Sequence, residues 1–241
     1  MVESGPGGRS RWAAGLPPIT RSGVIDAASQ LTREHGLEGW TVRLLASRLE
    51  VWPAVIYHHV GDREAVIQAV TDHVVAQMPL PDADLPWREW FYTLLVDGRD
   101  VLRRHRGVAR RMLVQQGPLV PSALRLIDTG VQVLQRAGLG DEEAPSVYSY
   151  LLNSGVTLIA VEDDRETNAK ARATAVEALG LFRDDTEQPG LAALGRLLHR
   201  EYADAESART YQREFFAYSV QRSLDGVQVR LDELKAEEGI G

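Results

Sequence analysis

The chain has 241 residues, 44% of them hydrophobic, a formal net charge of −7 and no cysteine. That length and apolar content allow one large or two smaller globular domains with a sizeable core, and the lack of cysteine excludes disulfides and thiolate metal sites. No apolar run approaches the ~20 residues needed to span a membrane, and Arg, Gly and Pro stand where a secretory signal would be apolar, so the expected location is cytoplasmic.

Residues 1–18 are rich in Gly, Pro and Ser and read as a flexible N-terminal arm. Arg9, Arg11 and Arg21 are the charges in this part of the chain that can reach a phosphate or a minor groove. Val24, Ala27, Ala28 and Leu31 then recur at helical spacing, and Gly36 closes the stripe. Thr41 is a capping residue before a second stripe, Val42, Leu45, Ala46 and Leu49. Val51 follows at a tight break, and Pro53 suits the first turn of a third short helix, where its missing N–H costs nothing. Val55 and Ile56 are expected to face a core, with Trp52, Ala54, Tyr57 and His58 on the outer side. Gly61 ends that helix, and Asp62 caps a connecting helix over 62–77 with Ala65, Val66, Ala69 and Val70 on its buried side.

Three short helices with a break between the second and third make a helix-turn-helix DNA reader the leading interpretation. The same pattern also occurs in all-α protein-interaction domains that bind no specific DNA sequence. Charge separates the two only weakly: residues 1–63 hold seven Arg and no Lys against six acidic residues, and the remainder is net acidic. A DNA-binding chain of this composition must concentrate its positive charge locally.

The rest of the chain also reads as helical, over roughly 87–105, 107–116, 121–138, 142–163, 168–182, 188–199 and 207–236, with scarce strand signals. Met78-Pro79-Leu80-Pro81 and the residues to Pro86 form a loop, and Gly138-Leu139-Gly140 marks another break. Asp163 to Asn168 is polar and expected to be exposed. The fold class is therefore all-α: an arm (1–18), a helix-turn-helix domain (19–66) and a larger helical domain (67–241). Helices near 142–163 and 207–231 carry apolar residues on more sides than a surface helix needs. They are read as interface material or, alternatively, as the central helices of a monomer core. No enzyme is expected: His58-His59 lacks a third metal ligand, and there is no phosphate-binding Gly loop and no nucleophile elbow. No catalytic residue, metal or cofactor is assigned.

The N-terminal segment resembles the TetR family of transcriptional regulators. Thr20 to Gly36 is similar to the family's first helix, and Leu37-Glu38-Gly39-Trp40-Thr41-Val42-Arg43 to its entry into the second. Leu45-Ala46 with Leu49 resembles the second helix's core, Ile56-Tyr57-His58-His59-Val60 the "L-Y-x-H-F/V" signature, and Asp62-Arg63-Glu64-Ala65-Val66 the start of the fourth helix. Two positions depart from the pattern: Glu50 stands where the turn often has Gly, and Trp52 where a small polar residue is common. Trp87-Arg88-Glu89-Trp90, His105-Arg106-Gly107, Gly155-Val156-Thr157-Leu158 and Glu162-Asp163 look like the tetracycline-repressor branch.

The resemblance implies that Thr41 and Arg43 contact phosphates and that Trp52, Pro53, Ala54, Val55, Tyr57 and His58 belong to the recognition helix and its entry. Arg63 would reach a further phosphate. It implies a homodimer on a palindromic double-stranded operator, with the two interface helices pairing across the two-fold axis, and repression relieved by a small-molecule effector. The effector pocket is expected within 87–152, with Trp87, Trp90, Phe91, Leu94, Met112, Gln115, Gln116, Ile127, Tyr148 and Leu152 as its candidate lining. The tetracycline branch holds a magnesium–drug complex through histidines. Here Met112 stands in place of one, and His73 lies too early in its helix to match the other, so neither that ligand nor a metal is expected.

Overall fold

The computed structural model describes residues 18–114 and 121–238, and among these it contains eleven helices and no strand. The arm residues Arg9 and Arg11 and the pocket candidates Gln115 and Gln116 lie outside the described residues.

The first four helices are α1 (Arg21–His35), α2 (Val42–Arg48), α3 (Pro53–His59) and α4 (Arg63–Val75). Side-chain caps set three of the four starts. Thr20 Oγ1 accepts from Gly23 N at 3.1 Å, Thr41 Oγ1 from Leu44 N at 3.2 Å, and Asp62 Oδ1 from Ala65 N at 2.8 Å. Helix α3 starts without a side-chain cap and uses Pro53 in its first turn. The stripes expected from spacing meet in one core: Val24, Ala28, Leu31, Leu45, Ile56, Val66 and Val70 are buried together. Trp40 lies within this core, and its Nε1 donates to the Thr32 hydroxyl at 2.9 Å, which satisfies a buried indole N–H.

The larger part comprises α5 (Trp87–Arg103), α6 (Val108–Val114), α7 (Pro121–Ala137), α8 (Glu143–Thr167), α9 (Ala169–Gly180), α10 (Pro189–Glu201) and α11 (Ala205–Glu238). Helix α8 is its axis: it packs against α5, α6, α7 and α11, and buries Tyr148, Leu151, Val156 and Ile159. Helix α4 bridges the two parts, touching α1 on one side and α6 and α7 on the other. It runs unbroken across the boundary expected at 66/67.

One expectation is overturned at a single residue. Asp164 to Asn168 are exposed as expected, but Asp163 is buried, as is Glu162 before it, and the run is the last turn of α8 rather than a loop. The reason lies on α5, where Arg99 and Arg103, four residues apart, share one face. Arg99 donates to Glu162 at 2.5 and 3.2 Å, Arg103 pairs with Asp163, and Arg103 also reaches Glu166 at 2.5 Å. Buried carboxylates are tolerated where guanidinium groups and an N–H fill their lone pairs; Gly107 N supplies the N–H to Asp163 at 2.9 Å.

Candidate nucleic-acid interface

Helices α2 and α3 meet at a turn with a definite bond pattern. Val51 N donates to Ala46 O at 3.0 Å and Glu50 N to Ser47 O at 3.1 Å, the paired closure of a Schellman motif. Such a closure places its central residue in the left-handed region. Glu50 sits there with φ 54°, the one non-glycine residue at positive φ among the described residues.

This turn points α3 outward. Ile56 is fully buried and pins the helix, while Val55 and Pro53 are half-buried. Ala54, Tyr57 and His58 are exposed at i, i+3 and i+4, on one face of the helix. Trp52, at the head of α3, is 65% exposed and Tyr57 50%. An indole and a phenol left in water by a domain with a well-filled core are surplus to its folding. Thr41 is exposed with its hydroxyl committed to the cap. Arg43 is exposed, and no carboxylate among the described residues pairs with it. Arg48 behaves differently: it donates twice to Glu34, at 2.7 and 2.6 Å, and so clamps α2 to α1. Arg63 lies over the Trp40 ring and donates to Glu38 at 2.8 Å, so a phosphate contact there has to displace Glu38. The outer side of α3 and its entry thus carry Trp52, Ala54, Tyr57 and His58, with Val55 half-buried, and Arg43 is exposed on the neighbouring α2.

The reader joins the larger part through the corner between α5 and α6. Leu37 N donates to Arg106 O at 2.8 Å. His105 is fully buried, with Nδ1 2.9 Å from Val101 O and Nε2 2.8 Å from Arg33 Nε. Arg33 Nε–H can only donate, so Nε2 accepts and Nδ1 holds the proton. Burial favours this neutral ring, and the charges of Arg33 and Arg104 and nearby His73 reinforce it, lowering the pKa against the pull of the Val101 carbonyl. Sequence reasoning did not single out His105 as a structural joint, since nothing in its local spacing shows a partner 72 residues away.

The described candidate pocket residues lie on α5, α6, α7 and α8. Trp90, Phe91 and Leu94 are fully or almost fully buried. Trp90 and Phe91 meet edge to face, with Phe91 against Tyr148. Trp87, Met112, Ile127 and Leu152 are half-buried against the same core. One group in this cluster is unsatisfied: the Tyr148 hydroxyl is buried and has no hydrogen-bond partner among the described residues. Burial pushes its pKa up, so it remains a neutral donor.

Among the described residues, no helix is long and apolar enough to cross a membrane. The profile described as "Bacterial regulatory proteins, tetR family" matches residues 24–70, and "Tetracyclin repressor-like, C-terminal domain" matches 78–231. Tetracycline repressor protein class D of Escherichia coli is 32% identical over 95 residues, which cover 38% of this chain and 44% of that repressor, less than two thirds of its length. The HTH-type transcriptional repressor DrrR1 of Streptomyces coeruleorubidus is 24% identical over 225 residues, covering 92% and 82% of the two chains. A crystal structure of ActR, a TetR family protein of Streptomyces coelicolor, in complex with (S)-DNPA, superposes with a TM-score of 0.68 at 20% identity, covering 89% of this chain and all of that one. With family matches over residues 24–70 and over 78–231, the latter more than half of its length, the chain belongs to the tetR family of bacterial regulatory proteins.

Proposed function

We propose that this protein is a transcriptional repressor that binds a palindromic operator as a homodimer and is released by a small-molecule effector. The observation that carries the reading is the outer face of α3. Ala54, Tyr57 and His58, with Trp52 at its head, are exposed on a helix pinned to the apolar core by Ile56, and Arg43, which pairs with no carboxylate among the described residues, is exposed on α2. A short helix of this kind fits the major groove, where apolar groups touch thymine methyls and His or Tyr reach base edges and phosphates.

The dimer follows from surface that the single chain leaves uncovered. Tyr150 on α8, and Tyr218 and Val229 on α11, are exposed large side chains on neighbouring helices. Pairing α8 and α11 with their symmetry mates covers them in a four-helix interface. It also sets two readers on one two-fold axis, so that they meet successive major grooves about 34–36 Å apart.

The effector site lies beside Tyr148, where a buried hydroxyl waits for an acceptor among aromatic and aliphatic side chains. Two ties connect this region to the reader: Asp72 on α4 accepts from Ser122 N at the start of α7 at 2.9 Å, and Glu64 on α4 pairs with Arg111 on α6. An effector that binds one arrangement of α6 and α7 better than the other shifts α4, and with it the spacing of the two readers.

The test is DNA binding by two variants. Tyr57→Ala weakens specific binding by about 1–3 kcal/mol with the dimer intact, while Arg43→Ala weakens it on all sequences and flattens the salt dependence. Variants that bind as well as the parent favour the protein-interaction alternative.

A further inference from the structure

A cavity of about 450 Å³ opens between α8, α9, α10 and α11, away from the Tyr148 cluster. Leu158, Leu179, Leu194, Leu198 and Phe215 give it an apolar wall. Its charged lining residues are Glu162, Arg165 and Arg172, and their charges do not cancel. Glu162 is buried and already neutralised by Arg99 at 2.5 Å. Arg165 and Arg172 both line the cavity, and no carboxylate among the described residues pairs with either. Arg172 is held in place without an anion: its guanidinium stacks over the Tyr202 ring at 4.1 Å. Oriented to satisfy both neighbours, the Gln212 amide accepts from Arg172 at 2.7 Å and donates to Glu162 at 3.1 Å.

We propose that this cavity is a second small-molecule site, distinct from the effector pocket beside Tyr148, and that it takes an amphipathic carboxylate. The apolar body lies against the leucines and Phe215, and the carboxylate replaces the Gln212 oxygen on Arg172, with Arg165 adjacent. A guanidinium fixed by an aromatic ring presents two parallel N–H donors, the arrangement that a carboxylate accepts best. The volume lies within the range of small-molecule sites, and the mostly apolar lining with a few convergent polar groups is their usual composition. The site also has a path to the rest of the molecule. Gln212 bonds the carboxylate of Glu162, which is held by Arg99 and Arg103. Arg103 in turn pairs with Asp163, which accepts from Gly107 N at the corner that holds the reader.

The test uses the full-length protein with 1-naphthoate and its neutral analogue 1-naphthylmethanol, titrated by calorimetry. The parent binds naphthoate and binds the alcohol at least about tenfold more weakly, the margin of a charge-assisted pair. Arg172→Gln weakens naphthoate about tenfold or more and leaves the alcohol unaffected. Ala175→Trp, which fills the cavity from α9, removes binding of both. Tyr148→Phe leaves both unchanged. Absence of naphthoate binding to the parent at millimolar concentration overturns the proposal. So does undiminished binding by Arg172→Gln or Ala175→Trp, or loss of binding in Tyr148→Phe, which would place the probe in the other pocket.

Discussion

Glu50 carries more of the reader's geometry than its exposed, polar position suggests. The closure Val51 N to Ala46 O requires the residue between to take a left-handed conformation, and Glu50 does so at φ 54°. For an L residue with a Cβ this costs roughly 1–2 kcal/mol, part of which glycine returns as lost chain entropy. Glu50→Gly is therefore expected to raise stability by about 0.5–1 kcal/mol, read as a higher urea midpoint with an unchanged slope. An unchanged or lower midpoint would mean that the turn is not strained there. This position was legible in the sequence, because the departure from glycine stands out against the family pattern. So were the exposed Trp52 and Tyr57, since a 3.6-residue period that buries Ile56 turns Tyr57 outward. Asp163 was not legible: a run of charged residues looks solvated unless the arginines that meet it, sixty residues earlier on α5, are known to face it.

At the scale of elements, the joint between α1 and the end of α5 rests on one neutral ring. His105 accepts from Arg33 through Nε2 and donates to Val101 O through Nδ1, so a second proton would face a guanidinium. Folding lowers its pKa below the free value of 6.5, because burial and the charges of Arg33, Arg104 and His73 disfavour the imidazolium. Below about pH 6.5 the unfolded chain then binds more protons than the folded one. Stability falls as the pH drops through that value and levels off only once the folded ring itself titrates. His105→Gln is expected to flatten this part of the stability–pH profile, even where the variant is less stable throughout. A parallel profile for parent and variant would remove His105 as the cause. Helix boundaries were largely legible from caps and breaks: Thr41 and Asp62 cap as their residue types predict. The packing partners of those helices were not, because the contact from α1 to His105 and that from α5 to α8 cross long stretches of chain.

For the whole molecule, the proposal rests on a reader that works only in pairs. The exposed Tyr218 and Val229 on α11 and Tyr150 on α8 form the surface on which pairing depends. Tyr218→Glu places a charge in the middle of that surface, and burying an unpaired charge is prohibitive. The variant is expected to run as a folded monomer by light scattering and to lose the palindromic site while keeping weak, salt-sensitive binding. A Tyr218→Glu protein that stays dimeric moves the interface elsewhere. The most direct measurement is selection of short duplexes from a random pool by the parent protein at stated salt, read by sequencing. The account predicts enrichment of a palindrome whose half-sites lie one helical turn apart, about 34–36 Å. A pool that emerges without a shared motif, in the absence and presence of candidate effectors alike, would contradict it.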